Sequence, residues 1–397
     1  MADRPLDGLR VLISGAGIAG PATAWWLAHH GAAVTVVEVA PALRTTGFAV
    51  DFRGETHFGV LEKMGVLDDL RAVQTGAGAM LFVDEQDKEI FLLPPEFAGG
   101  ELEVMRRDLS RVFYEHTRDA VEYVFGDTIS ELTETPDAVL VDFALNGSRE
   151  FDLVVGADGL HSVVRRLAMG DEAQFVKHLN YYIAGWDMPN EPGLGVDKTQ
   201  VIYNEPGRMT NVMADQRRPD RRIALVIFAS PRLEYDWHDV DEHKKLVTEG
   251  MSGAGWHTDK LLGALADADE LYFDSISRVY LPHWSKGRVV LIGDAAYGVT
   301  LGGMGVGTSV VGAHILAGEL VLSGGDHKVA FAAYEKLLRG YTDKWQRGSN
   351  PGEFMAPSTN FRLNARNWTM RRKIMRTLMI KASNALATNV KLPDYPA

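Results

Sequence analysis

The first forty residues alternate between short apolar runs and one helical stretch. Residues 9–14 form an apolar run bounded by glycines, and residues 34–38 are mostly β-branched and end on a carboxylate, which are patterns typical of strands. Between them, about residues 18–30 are rich in Ala, Trp and Leu and predict a helix, with Pro21 in its first turn and Gly31 at its end. This β-α-β order predicts a parallel, doubly wound α/β sheet.

Two later segments repeat the pattern of an apolar strand followed by small residues and an aspartate. Residues 151–155 precede Gly156-Ala157-Asp158-Gly159, and residues 288–292 precede Gly293-Asp294-Ala295-Ala296. Between them, about residues 174–274 alternate apolar and polar positions, interrupted by turn signals. This alternation predicts an antiparallel sheet inserted between strands of the first sheet.

The composition narrows the possible chemistry. Of 397 residues, 46% are hydrophobic and 24% charged, as in an ordinary globular protein. A net charge of -12 argues against general nucleic-acid binding, which needs a basic surface. The absence of cysteine excludes disulfides, iron–sulfur clusters and cysteine nucleophiles, so redox chemistry would need a bound cofactor. None of the 12 histidines pairs at metal-ligand spacing, and no metal site is expected.

The glycines after the first strand have the spacing of a dinucleotide-binding turn. Gly15, Gly17 and Gly20 follow the strand and open the helix, with Ile18 and Ala19 between them, and Glu38 ends the second strand. In this context the turn brings backbone amides to a pyrophosphate, and the acid accepts both hydroxyls of a ribose. A 2′-phosphate would be repelled by that carboxylate, which favours FAD or NAD over NADP. The alternative is a glycine-rich turn beside a solvated glutamate.

The two later aspartates are candidates for the same ligand. Asp158-Gly159 lies in a strand-to-helix turn before Arg165, and the alternative interpretation makes Asp158 a helix cap that is ion-paired with Arg165. Asp294 lies at a strand end, and the glycine loop 302–307 after it leads into a helix. A strand-end acid can bind a ribityl chain, and free amides at a helix N-terminus suit the electron-rich edge of a reduced flavin.

These three clusters, in this order, resemble the class A flavoprotein monooxygenases, typified by the para-hydroxybenzoate hydroxylase group, from about residue 9 to residue 322. Arg106-Arg107-Asp108-Leu109 is similar to the family's flavin-contacting Arg-x-x-Leu. The segment from Gly47 through Asp51 and Arg53 to Gly54 looks most like the tetracycline-destructase and polyketide-tailoring branch. The resemblance implies FAD contacts at Gly15, Gly17, Ile18, Ala19, Gly20, Glu38, Arg53, Arg106, Asp158, Gly159, Gly293, Asp294, Gly303, Gly305 and Val306.

The resemblance also implies the division of the chain. We expect a discontinuous FAD-binding domain of Rossmann type over residues 1–75, 101–173 and 275–325. Residues 76–100 and 174–274 would form the substrate-binding β-sheet domain, and residues 326–397 the C-terminal helices.

The activity that the resemblance implies is an FAD-dependent, NAD(P)H-consuming monooxygenation. NAD(P)H would bind transiently and reduce the flavin, which would then add O₂ at C4a and pass one oxygen atom to a hydrophobic aromatic or polyketide-like substrate. No side chain is assigned as a catalytic base. Candidate substrate contacts are Arg208, Met213, Met304 and Phe354. The alternatives are a tetracycline-inactivating monooxygenase and a redox-silent, FAD-bound cyclase or binding protein.

The chain departs from the family pattern in the flavin loop. Thr300-Leu301 stands where the family usually has proline, Met304 where a polar residue is common, and Gly307 where Asn or a hydroxyl residue often follows. Backbone donors survive these changes, so we expect FAD binding to persist while the geometry over the flavin differs.

Two apolar segments raise the question of a membrane. Residues 299–322 are long enough to span a bilayer, but five glycines in the first half favour a buried helix. The basic run Arg371-Arg372-Lys373, with apolar neighbours, could form a membrane-surface helix, but a long helix packed across both domains is the preferred interpretation. The chain opens without a signal peptide, so we expect a cytoplasmic protein, monomeric or weakly dimeric, with no membrane or nucleic-acid partner.

Overall fold

The computed structural model describes residues 4–43, 47–76, 78–98, 100–191, 193–194, 199–215, 217–237, 239–302, 305–346, 350–387 and 392–396. Its strands are β1 (Arg10–Ser14), β2 (Ala33–Glu38), β3 (Ala49–Phe52), β4 (Ala79–Val83), β5 (Glu89–Leu93), β6 (Leu102–Met105), β7 (Glu122–Phe125), β8 (Ile129–Glu134), β9 (Val139–Phe143), β10 (Ser148–Phe151), β11 (Leu153–Gly156), β12 (Val176–Pro189), β13 (Thr199–Glu205), β14 (Arg208–Ala214), β15 (Arg221–Ala229), β16 (Tyr272–Val279), β17 (Ser285–Lys286) and β18 (Val289–Leu291).

The α-helices are α1 (Ala19–His29), α2 (Gly54–Lys63), α3 (Leu67–Ala72), α4 (Pro95–Ala98), α5 (Arg106–Glu115), α6 (Val163–Met169), α7 (Val240–Met251), α8 (Thr258–Ala266), α9 (Asp294–Tyr297), α10 (Gly305–Leu322), α11 (His327–Gln346), α12 (Pro351–Met355), α13 (Asn360–Met370) and α14 (Lys373–Ala387).

The first sheet has six strands in the order β17-β18-β11-β1-β2-β7. All neighbouring pairs are parallel except β17–β18. Strand β1 lies in the middle, with β2 on one side and β11 on the other, so the chain winds outward in both directions. Ligands of such sheets bind at the carboxyl ends of the strands where the winding reverses, which is the β1–β11 edge here. The predicted doubly wound sheet is confirmed.

The second sheet has seven strands in the order β16-β12-β15-β14-β13-β4-β5. It is antiparallel, as predicted, except that β13 pairs with β4 in parallel. One face packs against α7 and α8, around Trp186, Val226 and Leu261. The other face holds Met209, Met213 and other apolar side chains that form a second core with α12 and α13. The sequence pattern missed a smaller antiparallel sheet, in the order β10-β9-β8.

Helix α10 runs through the main core. Among the described residues, α10 is the one helix that is long and apolar enough to cross a membrane. However, 78% of it is buried inside the protein. Its neighbours are α1, α2 and α11. The C-terminal segment crosses its far end, where the Tyr395 ring lies against Gly318 and the Tyr395 hydroxyl donates to Glu319 Oε1 at 2.8 Å. The predicted buried helix in residues 299–322 is therefore α10, a helix of the main core.

The predicted single long C-terminal helix is wrong, because the chain breaks it into α13 and α14 at Arg371–Arg372. Helix α13 contacts β5 and β13 of the seven-stranded sheet, whereas α14 contacts α2 and α11. The segment thus does cross between the two main parts of the molecule. Apolar side chains on α14 nevertheless face outward, with Ile374 75% and Leu378 55% exposed.

The packing of Tyr395 on α10 makes a stability prediction. A methyl group at Gly318 would overlap the Tyr395 ring, so Gly318→Ala should lower the free energy of unfolding by about 1–3 kcal/mol. In a Tyr395→Ala background the same change should be neutral or stabilising, because alanine favours a helix over glycine by up to about 1 kcal/mol. Gly340→Ala on α11, where a methyl group meets no atom within 4 Å, is the matched control. Urea denaturation of the four variants measures the cycle, and a Gly318→Ala cost that persists without Tyr395 would contradict it.

Candidate functional site

The glycine turn and three acidic residues meet at one edge of the six-stranded sheet. Gly15 follows β1, Glu38 ends β2, Asp158 follows β11 and Asp294 follows β18. These strands are parallel neighbours, so their carboxyl ends, and the side chains that follow them, lie together. The sequence motifs therefore form one site.

The glycine turn is shaped by close backbone approaches. Gly15 has a φ of +105°, and a methyl group there would lie 2.6 Å from the carbonyl oxygen of Ala157. A methyl group at Gly20 would overlap the carbonyl of Gly15. Gly17, by contrast, faces open space, with no atom within 4 Å of the position a Cβ would take. The turn thus packs tightly on two sides and leaves an open cradle on the third. This cradle lies beside the N-terminus of α1, where Ile18 is the N-cap residue and Ala19 begins the helix. This is the geometry that a pyrophosphate needs.

Glu38 fixes the shape of this turn. Its carboxylate accepts hydrogen bonds from the amides of Ala16 at 2.8 Å and Ala40 at 3.0 Å. A carboxylate has about four acceptor positions, so two remain for ribose hydroxyls. The residue is therefore not a solvated bystander: it holds the turn and retains the capacity expected of a ribose acceptor.

Asp158 and Arg165 link the second motif to the third. The Asp158 carboxylate accepts from Ser14 Oγ, Ser162 Oγ and the amide of Val164, so it does cap α6, and burial raises its pKa. The predicted alternative of an Asp158–Arg165 ion pair is wrong. The fully buried Arg165 donates instead to the carbonyl oxygens of Ala295 and Leu160.

Arg165 is also ion-paired with Glu172 at 3.3 Å. The contacts to Ala295, one residue after Asp294, tie the two acidic turns together. Gly159, directly after Asp158, has a φ of +79° and open space at the position that a Cβ would take. The second and third motifs are therefore held as one unit.

Asp294 and Arg106 face each other without partners of their own. Among the described residues, none hydrogen-bonds either the Asp294 carboxylate or the Arg106 guanidinium. Burial raises the pKa of Asp294, and the Arg106 charge opposes that rise, which shows that the two groups act on each other through space. A half-buried acid and base left unpaired beside the cradle fit a ligand that hydrogen-bonds both. These two groups fit the expected FAD, for which Asp294 and Arg106 would be polar contacts.

The N-terminus of α10 closes the site above Asp294. A Cβ at Gly305 would lie 3.4 Å from Asp294 Oδ1, and Val306 packs against the main core. Gly293, with a φ of +65°, makes the turn into Asp294. The expected contacts Gly303 and Met304 lie outside the described residues. The first turn of α10 therefore lies beside Asp294, and the binding of the flavin edge by its amides stays a prediction.

The unusual Gly307 has a structural reason that the sequence did not show. A methyl group there would overlap the His57 imidazole, which is buried against α10. His57 Nδ1 accepts from the Arg53 amide at 3.1 Å, and burial, aided by the Arg53 charge, lowers the pKa of His57 to about 4. A largely neutral histidine thus occupies the space that a side chain at position 307 would need.

Leu301, in the segment that replaces the usual proline, has a left-handed φ of 59°. Thr300 before it is fixed to β16 by hydrogen bonds with Ser275 and Ser277. A branched residue in this conformation is strained, and such strain persists where the surroundings enforce it.

The predicted substrate contacts divide between the two faces of the seven-stranded sheet. Met213 and Phe354 belong to the second core, on the face towards the flavin side. Arg208 and Thr210 are two residues apart on β14, so their side chains share one face of the sheet. The Thr210 hydroxyl lies 3.0 Å from the Thr258 hydroxyl of α8. Arg208 itself is ion-paired with Glu205. Strand parity thus turns Arg208 towards the face opposite Met213 and Phe354, and its role as a substrate contact stays a prediction.

Arg53, expected to contact FAD, is already bonded within the protein. Its guanidinium is ion-paired with Asp51 and donates to the carbonyl of Phe97. It is buried rather than open to the cradle. The structure therefore places Arg53 beside Asp51 and Phe97, and its contact with FAD stays a prediction.

A charged cluster that the sequence did not reveal flanks the second motif. His161 lies 3.1 Å from carboxylate oxygens of both Glu172 and Asp274. Although burial opposes its charge, the hydrogen bonds to Asp274 and Glu172 raise the pKa of His161 to about 10. The pairing joins the Asp158 turn to β16 of the other sheet, which no local sequence signal could show.

Ion pairs also join helix α5, which begins with Arg106, to the seven-stranded sheet. Arg107, next to Arg106, is bonded to Asp215 at 2.9 Å, and Asp215 lies after β14. Arg218 bonds the same carboxylate at 2.7 Å and reaches Asp187 of β12 at 2.6 Å. The start of α5 is therefore fixed to both parts of the molecule.

Residues 8–336 match the protein family described as FAD binding domain. Since the match covers most of the chain, the protein belongs to this FAD-binding family, and the expected cofactor is confirmed. Within the family, a flavin-dependent monooxygenase from an unknown prokaryotic organism is 33% identical over 393 residues, covering 97% of this chain and 99% of that protein. The chain is thus a member of the flavin-dependent monooxygenases.

Two solved structures agree with this assignment. The tetracycline destructase Tet(51) has a TM-score of 0.82 and 27% identity, covering 98% of this chain and 100% of that one. The tetracycline destructase Tet(55) has a TM-score of 0.81 and 30% identity, covering 97% of this chain and 98% of that one. The resemblance seen in the motifs is confirmed.

The unpaired Asp294 predicts an effect on the cofactor. Asp294→Asn keeps the shape but removes the charge, so FAD affinity should fall by the value of a charge-assisted hydrogen bond, roughly 1.5–3 kcal/mol. The ratio of FAD to protein after gel filtration, with the melting temperature of the apoprotein, measures this. Asp137→Asn, at an exposed turn, is the control. Full FAD retention in Asp294→Asn would return Asp294 to a purely structural role.

The His161 cluster predicts a pH dependence of stability. Because the pKa of His161 is raised from 6.5 to about 10 in the folded protein, its contribution is complete below pH 6.5 and is lost as the pH rises through about 10. The difference in unfolding free energy between wild type and His161→Asn should therefore shrink between pH 7 and pH 10. Urea titrations at several pH values test this, with exposed His29→Asn as control. A difference that grows with pH would contradict the assignment.

Proposed function

We propose that this monooxygenase uses NAD(P)H and O₂ to oxygenate a hydrophobic, aromatic or polyketide-like small molecule. The observation that carries the proposal is that Asp294, at the cradle edge of the six-stranded sheet, interacts with Arg106, which directly follows Met105 of the second core. A flavin held there would have the dinucleotide cradle on one side and the apolar face of the seven-stranded sheet on the other. Domain interfaces of this kind are common ligand sites.

The chain's own residues divide the work of binding. The amides at the start of α1 would hold the pyrophosphate, Glu38 the adenosine ribose and Asp294 the ribityl region. Arg106 and the N-terminus of α10 would stabilise negative charge on the ring edge. When bound, FAD supplies the acceptance of hydride from NAD(P)H and the activation of O₂.

The second core supplies the apolar surroundings that the substrate needs. Met213, Phe354 and neighbouring side chains present a largely hydrocarbon surface, which excludes water from the reacting atoms. No described side chain in this region is assigned as a catalytic base. A phenol-type substrate can provide its own activation once deprotonated.

Inactivation of a tetracycline is the second candidate function. It is favoured by the similarity in fold and length to the tetracycline destructases Tet(51) and Tet(55). A tetracycline is itself a hydrophobic polycycle with phenolic groups, so both candidates use the same site. They differ in the substrate that is turned over.

The remaining parts of the proposal concern the setting. We place the enzyme in the cytoplasm because its reductant is an intracellular nucleotide, and we propose a monomer or weak dimer. The partners are the substrate, NAD(P)H and O₂, without nucleic acid or membrane.

Oxidation of NAD(P)H tests the proposal directly. The free enzyme should oxidise NAD(P)H slowly, and a polycyclic phenol should stimulate it, with some leakage to H₂O₂ because the loop around Leu301 departs from the family pattern. Mass spectrometry under ¹⁸O₂ should show one labelled oxygen atom in the product. A tetracycline and simpler aromatic compounds form the two arms of the panel. If no compound gains the label or accelerates NAD(P)H use, the redox-silent alternative replaces this proposal.

A further inference from the structure

The two-stranded ribbon formed by β3 and β6 lies between the two main cores. Its antiparallel register sets Ala49 opposite Met105 and Asp51 opposite Glu103. Alternate residues of a strand face opposite ways, so these four side chains share one face. The other face, with Phe52, Leu102 and Val104, belongs to the main core, whereas Ala49 and Met105 pack with the second core. Two carboxyl groups therefore point to the apolar, substrate-facing side.

A cavity of about 40 Å³ lies against this face. The ribbon lines it with Ala49, Glu103 and Met105, and the seven-stranded sheet lines it with Gln200, Met213 and Ile223. One water molecule needs about 10–15 Å³ of such space, so the cavity has room for a small polar substituent of a few non-hydrogen atoms. It is a side pocket of the substrate region.

Behind Gln200, which lines this pocket, lies a buried amide without a complete set of partners. Asn211 on β14 has the parity of Met209 and Met213, so it points to the same face, and it is only 3% exposed. Its Nδ2 donates to Gln200 Oε1 at 3.3 Å, while its Oδ1 accepts no hydrogen bond from the described residues. An unpaired buried acceptor is costly, and such groups are typically satisfied by a ligand or water.

The ribbon side of the pocket carries more carboxyl groups than cationic groups. Glu103 accepts a hydrogen bond from the Thr75 hydroxyl, and Asp51 is ion-paired with Arg53. Burial raises the pKa of both carboxyl groups. Two carboxyl groups and one guanidinium share the region, so a second anion would be repelled there and a hydrogen-bond donor attracted.

We propose that this pocket recognises a hydrogen-bond-donating substituent, a hydroxyl or an amino group, on the aromatic substrate, with Glu103 and the Gln200–Asn211 pair as its specificity-determining residues. The inference rests on the proposed function, because it assumes that the second core is the substrate site. It adds the substrate's polar end: hydroxyl- or amino-bearing ring systems are accepted, and ring carboxylates are rejected.

The test measures binding rather than turnover. Four naphthalenes of nearly equal size carry a hydroxymethyl, an aminomethyl, an ethyl or a carboxylate group at the same carbon. Each is titrated into the FAD-loaded enzyme, and the change in flavin absorbance gives its dissociation constant. The hydroxymethyl and aminomethyl compounds should bind about tenfold more tightly than the ethyl compound, the value of one hydrogen bond to a charged group, and the carboxylate should bind weakest.

Three variants locate the effect. Glu103→Gln keeps the side-chain shape, and it should reduce the preference for the aminomethyl compound more than that for the hydroxymethyl compound, since only the former is a cation. Asn211→Leu should reduce both preferences to below about threefold while leaving the ethyl compound unaffected. Glu89→Gln, at an exposed position of β5, is the matched control and should keep the wild-type pattern. Melting temperature and FAD content confirm that each variant is folded.

The outcomes separate this inference from the proposed function. Equal binding of the ethyl and hydroxymethyl compounds, preferred binding of the carboxylate, binding of none, or a preference unchanged in Glu103→Gln and Asn211→Leu would each overturn the inference. A preference that is present and lost in the variants supports it, even if no naphthalene is oxygenated. In that case only the proposed oxygenation would be contradicted.

Discussion

The close approach of three backbone segments at the carboxyl end of β1 is the constraint on which the site depends. The turn at Gly15 touches Ala157 on one side and carries α1 at Gly20 on the other, and neither position has room for a side chain. Because these contacts are backbone to backbone, they fix the distance between the glycine turn and the acidic turn after β11. Arg165 extends the same rigid unit to the turn of Asp294. A cofactor-binding edge built in this way is set by the fold and needs little adjustment on binding.

A second constraint comes from the β3–β6 ribbon, which serves two cores at once. One face completes the main core and the other meets the seven-stranded sheet. The second face would be most stable if it were entirely apolar, yet it carries Asp51 and Glu103. Burial of polar groups lowers stability unless they are hydrogen-bonded, so departures of this kind concentrate where binding requires them. The same buried carboxyl groups of the ribbon that lower the stability of the fold would therefore select the ligand.

The sequence predicted the parts of the structure that local patterns determine. The helix expected at about residues 18–30 is Ala19–His29, and the acids expected at strand ends are there, because glycine spacing and apolar runs act over a few residues. Partners distant in the sequence could not be predicted. Nothing near Gly307 indicates that His57 fills its space, and the outward turn of Arg208 depends on the register of a sheet whose pairing is not visible in the sequence. The break between α13 and α14 has no glycine or proline to signal it.

The neighbouring arginines at the start of α5 interact with different parts of the molecule, and this has a thermodynamic consequence. Arg106 faces the cofactor side, whereas Arg107 is held by Asp215 of the seven-stranded sheet. A shift of that sheet on substrate binding would therefore be transmitted through Arg107 to Arg106, its neighbour in the helix. Coupling of this kind is reciprocal: if the bound substrate changes how firmly FAD is held, FAD changes the affinity for substrate by the same factor. The two ligands would then be linked through a single turn of helix, in addition to any direct contact between them.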